Sequence, residues 1–316
     1  MPVPKRETIY LVIKWIFVIV ALLFLIYKLV TFEHYDEFLN QWKQMLLVRL
    51  GWLFVACLLL PLNFAIESFK WKKMMHNVQH LRFTQALKGV LSGVVTGFFS
   101  PNRLGDMVGR SINLTPGNRI PGATLSLLNG LTQTIVIVSC GIPACILFFL
   151  YRGNVAIDVG LYVLCSFFLL AVLCAIYFLL PSIGKLDYVT RRKKLNDFVD
   201  FISRYSKKEL LSFVFYAFCR YLVFSFQFYC MLCFFDVCIP LPQVLFIIPT
   251  YYLFVTLTPS IAFSDVVIRA SYAMLFIGSV SDNSVAVALA AMTIWIVNWA
   301  IPLLIGVVVL LRSGRE

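Results

Sequence analysis

The sequence predicts an all-α fold, a polytopic membrane helix bundle, and three observations carry that prediction. Of 316 residues, 61% are hydrophobic and only 13% charged, well below the roughly 25% charged residues of a soluble domain. Several apolar runs exceed the roughly 20 residues needed to cross about 30 Å of hydrocarbon. Alternating ten-residue segments, the mark of an outer-membrane barrel, are absent. Third, Lys and Arg concentrate between apolar runs, in Lys70–Lys88 and Lys185–Lys208, as expected of cytoplasmic loops. The formal charge of +12 is therefore read as loop asymmetry. Nucleic acid is not an expected partner, because no basic folded domain exists to bind it.

The elements follow in order. A first spanning helix is expected at about residues 8–30, preceded by Lys5 and Arg6. It is too long for a signal-peptide core and lacks a small-residue cleavage site, so it reads as uncleaved. A polar segment carries Glu33, Asp36 and Glu37. The second helix covers about 45–66, with Pro61 near its end. Phe69–Lys73 and His76–Arg82 then read as an interfacial elbow of Trp and Lys side chains. Residues 85–99 are apolar and rich in glycine, at Gly89, Gly93 and Gly97. At 1.5 Å per residue they reach only about 22 Å. Pro101 breaks this segment, and a short helix at about 104–113 holds Asp106 and Arg110. Together the two halves suit a re-entrant hairpin, which is tolerated where protein shields it or water reaches it. Helices at about 121–150 and 157–180 follow, the second ended by Pro181. After the basic loop 182–208 comes a helix at about 209–235. Segments 241–258 and 261–277, split by Pro259, form a second hairpin. A last helix covers about 284–311, ahead of Arg312 and Arg315.

Loop charge then orients the chain. With Lys5 and Arg6 in the cytoplasm, both basic loops and both termini fall on that side. The first hairpin then enters from the cytoplasm and the second from outside, the arrangement of inverted repeats. The expectation is about six full crossings plus two inverted re-entrant hairpins in one integral membrane domain, residues 1–316. Its halves lie at about 45–150 and 209–311, with no soluble domain. An eight- to ten-pass chain would show the same loop charges. Short length and internal proline favour the hairpins.

The two hairpins share a motif. Val95–Arg110 reads VTGFFSPNRLGDMVGR and Val255–Arg269 reads VTLTPSIAFSDVVIR. Each has Val-Thr, a break containing proline, and an Asp four residues before an Arg. A charge at the centre of a spanning helix costs roughly 2.5–3.5 kcal/mol, so Asp106, Arg110, Asp265 and Arg269 need partners or a water-filled cavity. Each Asp falls just after a break, where the helix dipole favours an anion, and each Arg lies one turn later on the same face. One reading is purely structural: the Asp caps the half-helix and the Arg neutralises it. The other is that Arg103, Arg110 and Arg269 face a cavity and bind an anionic headgroup. Half-helix N–H groups would assist, as they do for phosphate, and the carboxylates would position the guanidiniums. Pro101, Gly105 and Pro259 are the structural breaks. Among the other intramembrane polar residues, Asn63, Glu67, Asn129, Gln133, Gln227 and Asn298 read as interhelical hydrogen-bond partners. Arg220 is a full charge inside a helix. It is expected to pair with Glu67, Asp106 or Asp265, to contact substrate, or to snorkel to the interface.

Other chemistry is thinly represented. Cys230 and Cys233 form a CxxC without a second ligand pair, a weak zinc or redox signal. His76 and His80 lie one turn apart in basic sequence and read as a solvated face. No Ser-His-Asp arrangement and no GxxxxGK[ST] loop is present. No enzyme activity, cofactor or metal is expected.

Asn63–Met75, NFAIESFKWKKMM, resembles the helix end and Trp-containing elbow of the lysylphosphatidylglycerol synthase transmembrane-region family, also called the flippase-like domain family. SPNRLGDMVGR and TPSIAFSDVVIR resemble its two breaks. The resemblance spans nearly the whole chain. It implies a membrane bundle with two inverted re-entrant elements. In multiple peptide resistance factors it implies movement of aminoacylated phospholipids between leaflets, with the lipid-modifying chemistry on a separate soluble domain. Carried over by position, Pro101, Gly105, Asp106 and Arg110 match the first motif, and Pro259, Asp265 and Arg269 the second. The chain departs from the family in having Asp where Glu is common. Its second break, Ser260–Ser264, also lacks glycine, which restricts close backbone approach.

The expected function is a flippase-like transporter in a bacterial cytoplasmic membrane. It would move an anionic phospholipid or lipid-linked intermediate, with membrane lipids as partners; a homo-oligomer remains open. The alternative is a non-transporting scaffold or accessory subunit for envelope lipid biogenesis. A membrane-embedded transferase ranks last.

Overall fold

The computed structural model describes residues 47–98, 100, 103–153, 159–183, 202–237, 239–260, 262–281 and 283–313. The expected first helix, the acidic segment after it, most of the basic loop 182–208, Pro101 and Arg315 lie outside the described residues. The described chain is helical, with no strand among the described residues. Its helices are α1 (Leu47–Met74), α2 (Phe83–Phe98), α3 (Gly105–Ile112), α4 (Arg119–Arg152), α5 (Val159–Ile183), α6 (Lys207–Phe234), α7 (Leu241–Leu257), α8 (Ala262–Phe276), α9 (Ser284–Trp295) and α10 (Ile301–Ser313). Among the described residues, four stretches are long and apolar enough to cross a membrane: Arg49–Asn77, Pro116–Arg152, Lys207–Phe234 and Ser284–Val309. Leu241–Leu257 is apolar but shorter.

Helix α1 differs from expectation. Pro61 lies inside it, and the helix continues through the predicted elbow to Met74. A buried face explains the continuation. Asn63, Glu67, Lys70, Trp71 and Met74 follow helical spacing and are all enclosed, because α6 packs along α1 and residues of α2, α3 and α4 meet the same face. Lys70, read from the sequence as part of a surface elbow, is fully buried. A short 3-10 turn, Met75–Asn77, ends the segment.

Helix α6 begins at a capping box. Glu209 N–H donates to Ser206 Oγ, and Ser206 N–H donates to a Glu209 carboxylate oxygen, so two otherwise orphaned donors are satisfied. The α1–α6 pair is fastened at both ends. Gln227 Nε2 donates to the Ala56 carbonyl at 2.9 Å, and the Tyr205 hydroxyl donates to that of Met74. Helix α4 packs against α1's partner α6, against α3 and against α7. It ends at Gly153, whose left-handed φ of 65° allows its N–H to reach the Leu150 carbonyl.

The last predicted helix is interrupted. Ile296–Ala300 forms a π-turn between α9 and α10, a distortion frequent at functional sites. Large apolar side chains point outward along the bundle, among them Phe54 (67% exposed) on α1, Phe215 (62%) on α6 and Leu245 (70%) on α7. Such continuous apolar exposure belongs against lipid.

Candidate functional site

The first motif folds as α2 and α3 laid tightly together. Glycine makes the approach possible. A Cβ on Gly93 would collide with the Asp106 carboxylate, and one on Gly105 with the Thr96 carbonyl. The turn is tied by polar bonds. Thr96 Oγ1 donates to the Gly105 carbonyl, and Gly105 N–H donates to Ser100 Oγ, both at 2.6 Å. Asp106 is thereby held in the first turn of α3, where the dipole suits it.

From α3, Arg110 reaches two carboxylates. Its Nε donates to Asp106 at 2.7 Å and its Nη2 to Glu67 at 2.7 Å. Glu67 is the hub of the assembly, 1% exposed. It also accepts from Asn129 Nδ2 at 2.7 Å and Arg220 Nη1 at 3.1 Å, and lies 3.7 Å from Lys70 Nζ. Lys70 Nζ donates to Thr132 at 3.1 Å, Arg220 Nε to Asn63 at 2.8 Å, and Ser126 to Asp106 at 3.2 Å. One carboxylate thus ties α1 to α3, α4 and α6. Of the partners open to Arg220, Glu67 is the one it takes. Neither Glu67 nor Lys70 was among the expected binding residues. Their spacing of three on a helix was the available signal, but Lys70 was hidden inside a basic run.

The second motif places Asp265 in the first turn of α8. Asp265 accepts from Arg269 Nε at 2.9 Å, Trp295 Nε1 at 3.0 Å and Ser260 Oγ at 3.3 Å. Both copies therefore form the Asp–Arg pair that their spacing predicts. They differ in packing. Helix α8 packs mainly on α9 and only in part on α7, whereas α3 lies along α2. The absence of glycine from the second break agrees with that difference.

The two copies meet at a narrow cleft lined by Gly97, Phe98, Ser100 and Arg103 of the first, Ser260 and Asp265 of the second, and Trp295 and Trp299; a ligand larger than a water molecule would have to part these side chains. The π-turn brings Trp299 beneath Arg103, whose guanidinium carbon lies 3.8 Å from the ring centroid, a close cation–π contact. Arg103 is exposed, and its φ of 60° is uncommon for a residue other than glycine. It has no ion-pair partner within 4.0 Å among the described residues. The cleft thus brings together Arg103 and Asp265, and Arg269 bonds Asp265 behind it. Arg110, Asp106 and Arg220 belong to the Glu67 assembly. Pro259 and Gly105 flank the breaks as expected; Pro101 lies outside the described residues. Trp295 and Trp299, one turn apart, were missed in the sequence because tryptophan in a membrane helix is not by itself a site.

An apolar helical exterior around a charged interior defines an integral membrane protein. The family model described as "Lysylphosphatidylglycerol synthase TM region" matches residues 11–306, and the chain belongs to that family. No curated protein and no solved structure matches the chain significantly. Family and architecture together make it a membrane protein tied to lipid handling.

Proposed function

We propose that the protein is a flippase-like transporter that moves an anionic phospholipid or lipid-linked intermediate between leaflets of a bacterial cytoplasmic membrane. The observation that carries this reading is the cleft shared by both broken-helix motifs, with Arg103 stacked on Trp299 at its edge and in no ion pair among the described residues. A phosphate there would meet a planar guanidinium suited to bidentate hydrogen bonding and the hydroxyls of Ser100 and Ser260. Asp265 and Trp295 would hold Arg269 and the cleft wall in place. Asp106, Arg110 and Arg220 would form the interior half of the site, fixed by Glu67. An inverted, re-entrant insertion of the two hairpins would let that cleft face each leaflet in turn.

The test is leaflet exchange of an anionic fluorescent phospholipid in liposomes. Arg103→Gln and Arg269→Ala should each slow exchange at least tenfold while the protein elutes and melts as wild type. Wild-type exchange in both variants would sink the assigned site.

The scaffold reading draws on a different observation, the near-complete pairing of Glu67 with its neighbours. It predicts that Arg110→Ala lowers stability, and that no variant alters lipid movement because the wild type moves none.

A further inference from the structure

The charges gathered around the cleft do not balance. Four guanidiniums, of Arg103, Arg110, Arg220 and Arg269, and the Lys70 ammonium gather at this network, with Lys70 and Arg110 buried, Arg220 and Arg269 part-buried and Arg103 exposed at its edge. Against them stand the carboxylates of Glu67, Asp106 and Asp265. The five ion pairs of the network among the described residues join seven of these eight; Arg103 takes part in none. Arg103 lines the cleft together with Asp265, to which Arg269 is bonded at 2.9 Å. Five cations against three carboxylates leave an excess of two positive charges. Arginine cannot shed its charge in a protein, and uncompensated charge at membrane depth is costly.

Two further observations indicate where the missing charge belongs. Arg110 is 5% exposed, yet among the described residues its Nη1 has no hydrogen-bond partner, and nor does the buried Nε1 of Trp71, whose ring lies 5.2 Å from the Arg110 guanidinium. Arg103, at the cleft, has no ion pair within 4.0 Å among the described residues. Donors are left over both inside the network and at its mouth.

We infer that the ligand of this site is a phosphate headgroup carrying at least two negative charges, a phosphomonoester or diphosphate, rather than a singly charged phosphodiester. The inference rests on the transport reading and narrows its substrate class. A phosphomonoester carries close to two charges at neutral pH, since its second pKa is about 6. It therefore matches the excess of two, whereas a phosphodiester neutralises half of it. The same chemistry could come from a lipid or from free diphosphate.

The experiment titrates the full chain in detergent, following fluorescence of the tryptophans beside the cleft. The probes are phosphatidate, a polyprenyl diphosphate, phosphatidylglycerol, phosphatidylcholine and inorganic diphosphate. Phosphatidate and the polyprenyl diphosphate should bind at least tenfold more tightly than phosphatidylglycerol, and phosphatidylcholine least. Arg103→Gln, which lowers the excess to one, should erase that preference, while Lys208→Gln, outside the network, should keep it. Inorganic diphosphate binding as tightly as its lipid form would support the dianion and assign it to a soluble source. Equal affinity for phosphatidate and phosphatidylglycerol would overturn the charge assignment and leave the transport reading standing if exchange still depends on Arg103. Loss of that dependence, with dianion preference intact, would overturn transport but not the assigned ligand.

Discussion

Glu67 is the residue on which the interior depends most. It faces Arg110, Arg220, Lys70 and Asn129 at 2.7–3.7 Å. Removing one partner of a buried charged group strands the others, at a cost of about 3–5 kcal/mol. Glu67→Ala should therefore lower the detergent melting temperature far more than Arg49→Ala, which breaks the peripheral 2.5 Å pair with Asp236; equal melting shifts would contradict the hub assignment. Trp295→Phe keeps the ring but deletes the 3.0 Å bond to Asp265, and should cost about 1–3 kcal/mol by chemical denaturation. Much of this scale was legible in sequence. The i,i+4 spacing of Asp106–Arg110 and Asp265–Arg269 fixed both ion pairs, since residues one turn apart must meet on a helix. Lys70 was not legible. A lysine in a basic run reads as solvated, and only tertiary packing, which brings Thr132 of α4 to 3.1 Å from its Nζ, encloses it.

Among the elements, the α2–α3 hairpin depends on small residues and the π-turn on a local change of winding. Gly93→Val would drive a side chain into Asp106. Overpacking of this kind costs about 1–3 kcal/mol, and here it should also separate Arg110 from Glu67. Thermal unfolding and proteolysis at 99–104 would read both effects, and an unchanged melting curve would argue against the close seam. The short halves flanking each proline were predictable from length and composition, because neither reaches across about 30 Å alone. Two element boundaries escaped prediction. Helix α1 outlasts its apolar run because its inner face is buried polar, which hydropathy alone scores as loop. The break at Ile296–Ala300 lies just before Pro302, which has no N–H to donate to the Asn298 carbonyl; the sequence carried that signal, and the reading of one continuous last helix passed over it.

At the scale of the molecule, the four long apolar stretches among the described residues surround a charged centre where two copies of one motif converge on a cleft. The convergence depends on tertiary packing, and sequence supplied only the duplication and the need to shield its charges. A headgroup site between the two breaks is the central claim. Its most direct measurement is an experimental structure of the protein in nanodiscs containing phosphatidate and phosphatidylglycerol. The account predicts phosphate density within hydrogen-bond distance of Arg103, between Ser100 and Ser260. Well-ordered lipid on the outer helices, with the Trp295–Trp299 cleft resolved and holding no phosphate at saturating lipid, would contradict it.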